Sequence, residues 1–138
     1  MWHSVKVFLF LPPLLFVLDY IWLGIFASNL YKKELGPFLR MSGTGLQPII
    51  WAALMVYLAI PLGIVFFVLP RVSADNLAGS ALLWGALYGI LVYTVYDMTN
   101  YSLVRDWPLR VSLIDIGWGG LLNAIGALAA AWLNHWLK

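Results

Sequence analysis

The chain contains no cysteine and very little charge. Without cysteine, disulfides, thiolate metal sites and thiol nucleophiles are all excluded. Only 10% of the 138 residues are charged, whereas 63% are hydrophobic, and the mean hydropathy is +0.89. These values lie outside the range of soluble domains. The composition therefore predicts an integral membrane protein.

Positive charge is also too sparse to indicate a nucleic-acid-binding protein. The eight basic residues give a net charge of +2, but they are spread over the predicted loops and termini, as in proteins that follow the positive-inside rule. No nucleic-acid partner is expected. The two histidines, His3 and His135, lie near the two ends of the chain, which argues against a bis-histidine haem.

Four long apolar runs divide the sequence. They cover residues 5–28, 46–69, 77–101 and 108–136, and the segments between them carry nearly all the charge and turn residues. A helix needs ~20 apolar residues to cross a hydrocarbon core that is ~30 Å thick. The sequence therefore predicts an all-α, polytopic integral membrane protein, a four-transmembrane-helix bundle that forms a single domain over residues 1–138.

Prolines and one aspartate indicate how these helices begin and bend. Pro48 is predicted to lie in the first turn of the second helix, and Asp106 is predicted to be the N-cap of the fourth. Pro12, Pro13 and Pro61 fall inside helices. Membrane helices tolerate such prolines when neighbouring groups satisfy the freed carbonyls, so kinks are expected and breaks are not.

The distribution of lysine and arginine predicts the orientation of the bundle. The first and third loops carry five basic residues, and the termini and second loop carry three: Lys32, Lys33, Arg40, Arg105 and Arg110 against Lys6, Arg71 and Lys138. Because cytoplasmic loops are enriched in positive charge, the first set is expected in the cytoplasm. Both termini are then expected on the outer side.

Three aspartates, Asp19, Asp97 and Asp115, lie inside otherwise apolar runs. A carboxylate at membrane depth costs roughly 2.5 to 3.5 kcal/mol on insertion scales, so each of them requires a partner, a proton or a bound ion. The short third loop places Asp97 and Asp115 at one depth, and Asp19 lies in the same half of the membrane. Small-residue stripes on the third and fourth helices predict that Asp97 and Asp115 point into the bundle.

Further polar and aromatic residues gather around the aspartates. Two of them are tryptophans in an Asp-x-x-Trp-x-Gly pattern found in both DYIWLG and DIGWGG, which is either a degenerate inverted repeat or convergent local packing. Together with the three aspartates, the predicted binding residues are Tyr96, Thr99, Asn100, Asn123, Trp22, Trp118, Arg105 and Arg110. The purely structural alternative is an ion pair between Asp97 and Arg110 or between Asp115 and Arg105.

The segments DYIWLG, YDMTNYSLVRDWP and IDIGWGG together resemble the domain-of-unknown-function 2177 family of small bacterial inner-membrane proteins. The most specific part runs from Tyr96-Asp97-x-Thr99-Asn100 to Trp107-Pro108 and on to Asp115-x-x-Trp118-Gly119. The resemblance spans essentially the whole chain. It implies a multi-pass protein of the bacterial inner membrane, for which the charge distribution predicts periplasmic termini, with its functional core between the third and fourth helices. It adds no catalytic residues.

Three hypotheses about function follow. In the first, the three aspartates form a cytoplasm-facing site that binds or transports a proton, a cation, or a cationic or lipid head group. Such a protein is expected to contact membrane lipids and to act as a homo-oligomer, with Gly85 and Gly89 or Gly126 and Ala130 forming contacts within or between subunits.

The second hypothesis is a membrane enzyme of lipid modification. Two aspartates, from among Asp19, Asp97 and Asp115, would hold a divalent cation, which is the only cofactor expected, and Arg105 or Arg110 would position a phosphate. The absence of an Asp-x-x-Asp motif weakens this hypothesis. In the third, the chain is a structural or accessory subunit whose buried polar residues only specify helix partners.

Overall fold

The computed structural model describes residues 2–137, and nearly all of them are helical. Four helices have the length and apolar composition of membrane spans: Trp2–Phe26, Ile50–Arg71, Leu77–Leu103 and Leu109–Trp136. We call them the first to fourth spans. They confirm the all-α, four-span prediction, with boundaries that differ by a few residues. Lys138, which was counted in predicting the orientation, lies outside the described residues.

The spans are built from longer α-helices and short irregular turns. The first span combines α1 (Trp2–Ile21) with a π-helical turn (Trp22–Phe26), and the second combines α3 (Ile50–Gly63) with π-helical and 3-10 turns that end at Arg71. The third and fourth spans are the single helices α4 (Leu77–Leu103) and α5 (Leu109–Trp136). Helix α1 continues through Pro12 and Pro13, and α3 continues through Pro61, so the prolines do not break the spans.

The segment between the first two spans contains structure that the sequence patterns did not predict. A short helix, α2 (Ser28–Leu35), follows the first span directly, and a 3-10 turn follows α2. Strands β1 (Met41–Ser42) and β2 (Gly45–Leu46) then pair as an antiparallel hairpin. Gly43, in the turn of this hairpin, has a φ of 60°, a conformation that glycine adopts without steric cost.

Two predictions about helix starts are wrong. Helix α3 begins at Ile50 after an extended Ile49, so Pro48 precedes the helix. Asp106 does not cap α5, because Pro108 occupies the N-cap position. The Trp107 amide donates to the Val104 carbonyl oxygen at 3.3 Å, which closes a tight turn and places Asp106 at a φ of 61°. Aspartate tolerates this left-handed conformation better than most residues.

Helices α4 and α5 pack closely along the predicted small residues. Ala81, Gly85 and Gly89 of α4 are buried, and a Cβ atom added at Gly85 would lie 2.6 Å from the Cβ atom of Ala127. Asn123 is fully buried at this contact and donates to the Gly119 carbonyl oxygen at 2.9 Å. Both stripes therefore act inside one chain. Homo-oligomerisation stays a prediction.

The apolar core fills only the half of the bundle that is nearer the termini. Its buried side chains come from the first part of α1, the last part of the second span and the last part of α5: Val7, Leu11, Leu15, Ile60, Ile64, Val68, Leu122, Ala127 and Ala130. In the other half, which faces α2 and the third loop, the spans leave a cavity.

Candidate binding cavity

A cavity of about 350 Å³ lies in the half of the bundle that faces α2 and the third loop. The three membrane aspartates line it from three different helices, in agreement with the depths that the loop lengths predicted. The other polar and aromatic side chains of the wall are Ser28, Tyr31, Lys32, Tyr57, Tyr93, Tyr96, Trp107 and Trp118. Acidic and aromatic groups therefore dominate the polar part of this cavity.

Asp19 of α1 has a hydrogen-bond donor for each carboxylate oxygen. The Trp118 indole Nε1 donates to Oδ1 at 2.8 Å, and the Tyr57 hydroxyl donates to Oδ2 at 3.0 Å. The Trp118 ring is itself held by stacking on Trp22, with centroids 4.7 Å apart and planes 7° from parallel. Neutral donors thus compensate part of the cost of burying Asp19.

Asp115 of α5 is bound by a residue from outside the spans. The Tyr31 hydroxyl of α2 donates to Asp115 Oδ1. Burial, followed by the charge of Asp115 and this hydrogen bond, raises the pKa of Tyr31 above its ordinary value, so Tyr31 remains a donor at neutral pH. The contact ties the short helix α2 to the cavity wall.

Asp97 of α4 is the least compensated of the three aspartates. Its side chain is only 1% exposed, and among residues 2–137 its Oδ2 atom has no hydrogen-bond partner. Its neighbours are the Ser112 hydroxyl and the carboxyl group of Asp115. A buried carboxylate oxygen in a cavity wall therefore lacks a donor and has a second acid beside it.

The two Asp-x-x-Trp segments meet across the cavity wall. Trp118 of the second segment binds Asp19 of the first, while Trp22 of the first segment lies beside Tyr31, which binds Asp115 of the second. The Trp22 Nε1 atom is buried and has no acceptor within residues 2–137. The stacked rings give both tryptophans a packing role, whichever origin the repeated pattern has.

Six of the predicted binding residues do not line the cavity: Trp22, Thr99, Asn100, Asn123, Arg105 and Arg110. Asn123 lies in the α4–α5 contact, Asn100 lies beside the Tyr96 hydroxyl, and Thr99 is exposed.

The ion pairs of the purely structural alternative, Asp97 with Arg110 or Asp115 with Arg105, do not form among the described residues. The one ion pair of the described chain joins Arg110 to Glu34 at 3.9 Å, and the Arg110 side chain is 71% exposed. Arg110 lies in the first turn of α5 and Arg105 is exposed in the third loop, so both lie at the surface, away from the buried acids.

Six polar or aromatic side chains of the cavity were not chosen as binding residues from the sequence: Ser28, Tyr31, Lys32, Tyr57, Tyr93 and Trp107. Tyr57 and Tyr93 are single hydroxyls within apolar runs, and a pattern search for acids does not select them. Tyr31 and Lys32 were assigned to a loop, and Lys32 was used only to predict orientation. Both lie in the segment SNLYKKEL, which forms α2. This segment is too short to be recognised as a helix by its periodicity.

The three aspartates do not converge on one point. Within residues 2–137, no group of three or more His, Asp or Glu side chains is placed to hold a metal ion. Asp19 is engaged by two neutral donors, which leaves Asp97 and Asp115 as the adjacent pair. The wall therefore offers two close carboxyl groups and not the three-carboxylate site considered above.

Comparison with known proteins identifies a family and no activity. No curated protein and no solved structure matches the chain. The sequence model of a family described as "Predicted membrane protein (DUF2177)" matches residues 4–132. This range contains every side chain that lines the cavity. Because the match covers almost the whole chain, the protein belongs to the DUF2177 family of membrane proteins.

Proposed function

We propose that the cavity binds a cation, and that the cation is a primary ammonium group. The observation that carries the proposal is the Asp97 carboxylate, which is 1% exposed and has an Oδ2 atom without a donor in the described chain. Leaving such an atom unpaired costs more free energy than a normal hydrogen bond contributes. A ligand that donates a hydrogen bond and carries positive charge would offset that cost.

The ammonium group fits this wall better than other cations. It has three donors, so it can serve Asp97 Oδ2 and the neighbouring Asp115 together. The tyrosine and tryptophan side chains of the cavity favour an organic cation, because cations are attracted to the faces of aromatic rings. A volume of about 350 Å³ also leaves room for solvent, since each water occupies about 30 Å³.

Two other occupants follow from the same pair of acids. A proton held between Asp97 and Asp115 would satisfy the unpaired oxygen without a ligand. A divalent ion, which the membrane-enzyme hypothesis requires, would have these two carboxylates as its protein ligands. A purely structural role predicts that aspartate-to-asparagine changes are tolerated. The experiment below separates all of these from the ammonium site.

The location and assembly of the protein extend the proposal. The excess of lysine and arginine in the first and third loops supports an inner-membrane protein with both termini in the periplasm. The cavity would then open toward the cytoplasm, where membrane lipids or small amines could enter. A homo-oligomer remains part of the proposal, with contacts outside the small-residue stripes that are used within the chain.

The test is thermal unfolding of the detergent-purified protein with ethylammonium chloride, sodium chloride, tetramethylammonium chloride or magnesium chloride at equal ionic strength. A ligand that binds only the folded state raises the melting temperature as its concentration rises. Ethylammonium is expected to stabilise the protein, whereas sodium and tetramethylammonium are not, because neither can donate hydrogen bonds to Asp97.

Matched variants make this test specific. Asp97→Asn and Asp115→Asn are expected to lose the response to ethylammonium. Asp75→Asn is expected to keep it, because Asp75 lies in the exposed second loop. A response to magnesium that both cavity variants abolish would instead favour the divalent-ion enzyme. An equal response of wild type and Asp97→Asn to ethylammonium would refute the ammonium site.

A further inference from the structure

A second, larger concavity adjoins the cavity. It has a volume of about 730 Å³ and runs between α1 and α3, below the β1–β2 hairpin. Both concavities are lined by Asp19, Lys32 and Tyr57. We call this second concavity the lateral groove. It gives the acidic cavity an opening at the side of the bundle.

The lateral groove opens where a bilayer would contact the protein. Phe16 and Tyr20 of α1 form one wall, and their side chains are 53% and 66% exposed. Both belong to the first span. Exposed apolar and aromatic side chains of a span face lipid, since the hydrocarbon core is their solvent. A ligand in this groove would therefore have part of its surface in contact with lipid.

Two basic side chains line the groove near the end of the first span. Lys32 lies on α2, and Arg40 lies just before β1. No ion pair of the described chain involves either residue. Both follow the end of the span at Phe26, which corresponds to the depth of lipid head groups. Lysine and arginine at this depth are suited to bind a phosphate.

The order of these charges matches one class of ligand. Asp97 and Asp115 line only the cavity, Arg40 lines only the groove, and Lys32 lines both. The apolar wall of the groove faces the lipid. A head group with a terminal ammonium and a phosphodiester has the opposite charges in the same order, and its acyl chains require the apolar wall. A soluble amine would leave both the basic pair and the apolar wall without a partner.

We propose that the ligand is a membrane phospholipid whose head group carries a primary amine. It enters through the lateral groove, places its ammonium group at Asp97 and Asp115, and places its phosphate at Lys32 and Arg40. The acyl chains lie along Phe16 and Tyr20. This inference rests on the proposed ammonium site and adds the source of the amine and the route by which it arrives.

The test is native mass spectrometry of the delipidated protein, titrated with short-chain phosphatidylethanolamine, phosphatidylglycerol, phosphatidylcholine and soluble phosphoethanolamine. The amine lipid is expected to bind at least about tenfold more tightly than each of the others, as expected for the loss of one charge-assisted hydrogen bond or more. Phosphatidylglycerol lacks the amine, phosphatidylcholine lacks its N–H donors, and phosphoethanolamine lacks the acyl chains.

Variants of the basic residues separate this inference from the ammonium site. Arg40→Gln, at a position that lines the groove but not the cavity, is expected to weaken phosphatidylethanolamine binding by about tenfold. It is expected to leave the thermal response to ethylammonium unchanged, whereas Asp97→Asn weakens both. Lys33→Gln is the matched control, because Lys33 adjoins Lys32 and is exposed but lines neither the cavity nor the groove.

Each other outcome overturns a stated part of the inference. Equal binding of phosphatidylglycerol would refute the amine lipid, and equal binding of phosphoethanolamine would refute the lateral route. An Arg40→Gln variant that behaves like Lys33→Gln would refute the phosphate contact. In all three cases an intact response to ethylammonium leaves the ammonium site standing, whereas loss of that response in the wild-type protein refutes both proposals.

Discussion

The three membrane aspartates differ in how far the protein itself compensates for their burial. Asp19 accepts hydrogen bonds from an indole and a phenol, and Asp115 accepts one from Tyr31. Asp97 has the most buried side chain of the three, and one of its oxygens has no donor among residues 2–137. A group that the fold leaves unsatisfied is more readily explained by a ligand than by stability.

Asp97→Asn is therefore expected to stabilise the ligand-free protein by about 1 kcal/mol or more, because it removes an uncompensated buried acid next to Asp115. The amide can donate to Asp115, which the carboxylate cannot do. Denaturant unfolding of the delipidated protein in detergent measures this effect, with Asp75→Asn as the control. Destabilisation of similar size would mean that Asp97 has a structural partner.

The two stacked tryptophans provide a matched pair of variants. Trp118→Phe removes the donor to Asp19 Oδ1, whereas Trp22→Phe removes an Nε1 atom that has no acceptor in the described part of the chain. Because a buried acceptor that loses its donor costs ~1–3 kcal/mol, Trp118→Phe is expected to be more destabilising than Trp22→Phe by that amount. Unfolding free energies measured side by side check it. Equal effects would show that ring stacking, not the hydrogen bond, determines the contribution of both residues.

At the residue scale, the sequence singled out the three acids and Trp118, but not the contact of Trp118 with Asp19. An aspartate in an apolar run is conspicuous because of its cost, and Trp118 was selected through its repeated spacing from Asp115. The donors Tyr31 and Tyr57 were not predicted, because a single hydroxyl does not reveal which helix face it occupies. The ion pairs considered between these acids and Arg105 or Arg110 do not form for a similar reason. Nearness to the same loop does not determine the direction in which a long side chain extends.

At the scale of the elements, the α4–α5 pair is the rigid part that positions Asp97 and Asp115. Its small residues were readable from the sequence because they recur every four residues on α4. A Cβ atom at Gly89 would collide with the Gly119 carbonyl oxygen and lie 2.8 Å from the Cβ atom of Asn123. Backbone atoms cannot move away without separating the two helices.

Gly89→Ala is thus expected to destabilise the protein by about 3 kcal/mol through overpacking. Gly117→Ala is the matched control on α5, since a Cβ atom there has no neighbour within 4 Å, and it is expected to be neutral or slightly stabilising through helix propensity. Thermal unfolding in the same detergent compares the two. A similar melting temperature for both variants would contradict the close approach of α4 and α5.

Helix α2 and the β1–β2 hairpin are the elements that the sequence did not predict. Charge and turn residues mark residues 29–45 as a connection, but they do not reveal that α2 is held against α5 by the Tyr31–Asp115 hydrogen bond. That contact joins positions 84 residues apart in the chain. The number of spans depends on local hydropathy and could be predicted. The position of α2 against the cavity depends on tertiary contacts and could not.

At the scale of the whole molecule, one half of the bundle is an apolar core and the other half contains the cavity and groove. This division gives the protein two unlike membrane faces, and the excess of basic residues lies on the face with the cavity. The absence of cysteine makes the orientation directly testable, because any introduced thiol is unique.

Single cysteines at Thr44, in the hairpin turn, and at Asp75, in the second loop, are expected to react from opposite sides of the membrane. With the excess of basic residues inside, a membrane-impermeant maleimide should label Asp75→Cys in intact spheroplasts and Thr44→Cys only after the membrane is opened. The reverse pattern would place the cavity on the periplasmic side. Labelling of both positions in intact spheroplasts would contradict a single orientation.

The most direct test of the ammonium site is isothermal titration calorimetry of ethylammonium into the purified protein and into its Asp97→Asn and Asp75→Asn variants. The account predicts one site per chain in the wild type and in Asp75→Asn, and no saturable heat in Asp97→Asn. Saturable binding that survives Asp97→Asn, or wild-type heat no different from that of sodium chloride, would contradict it.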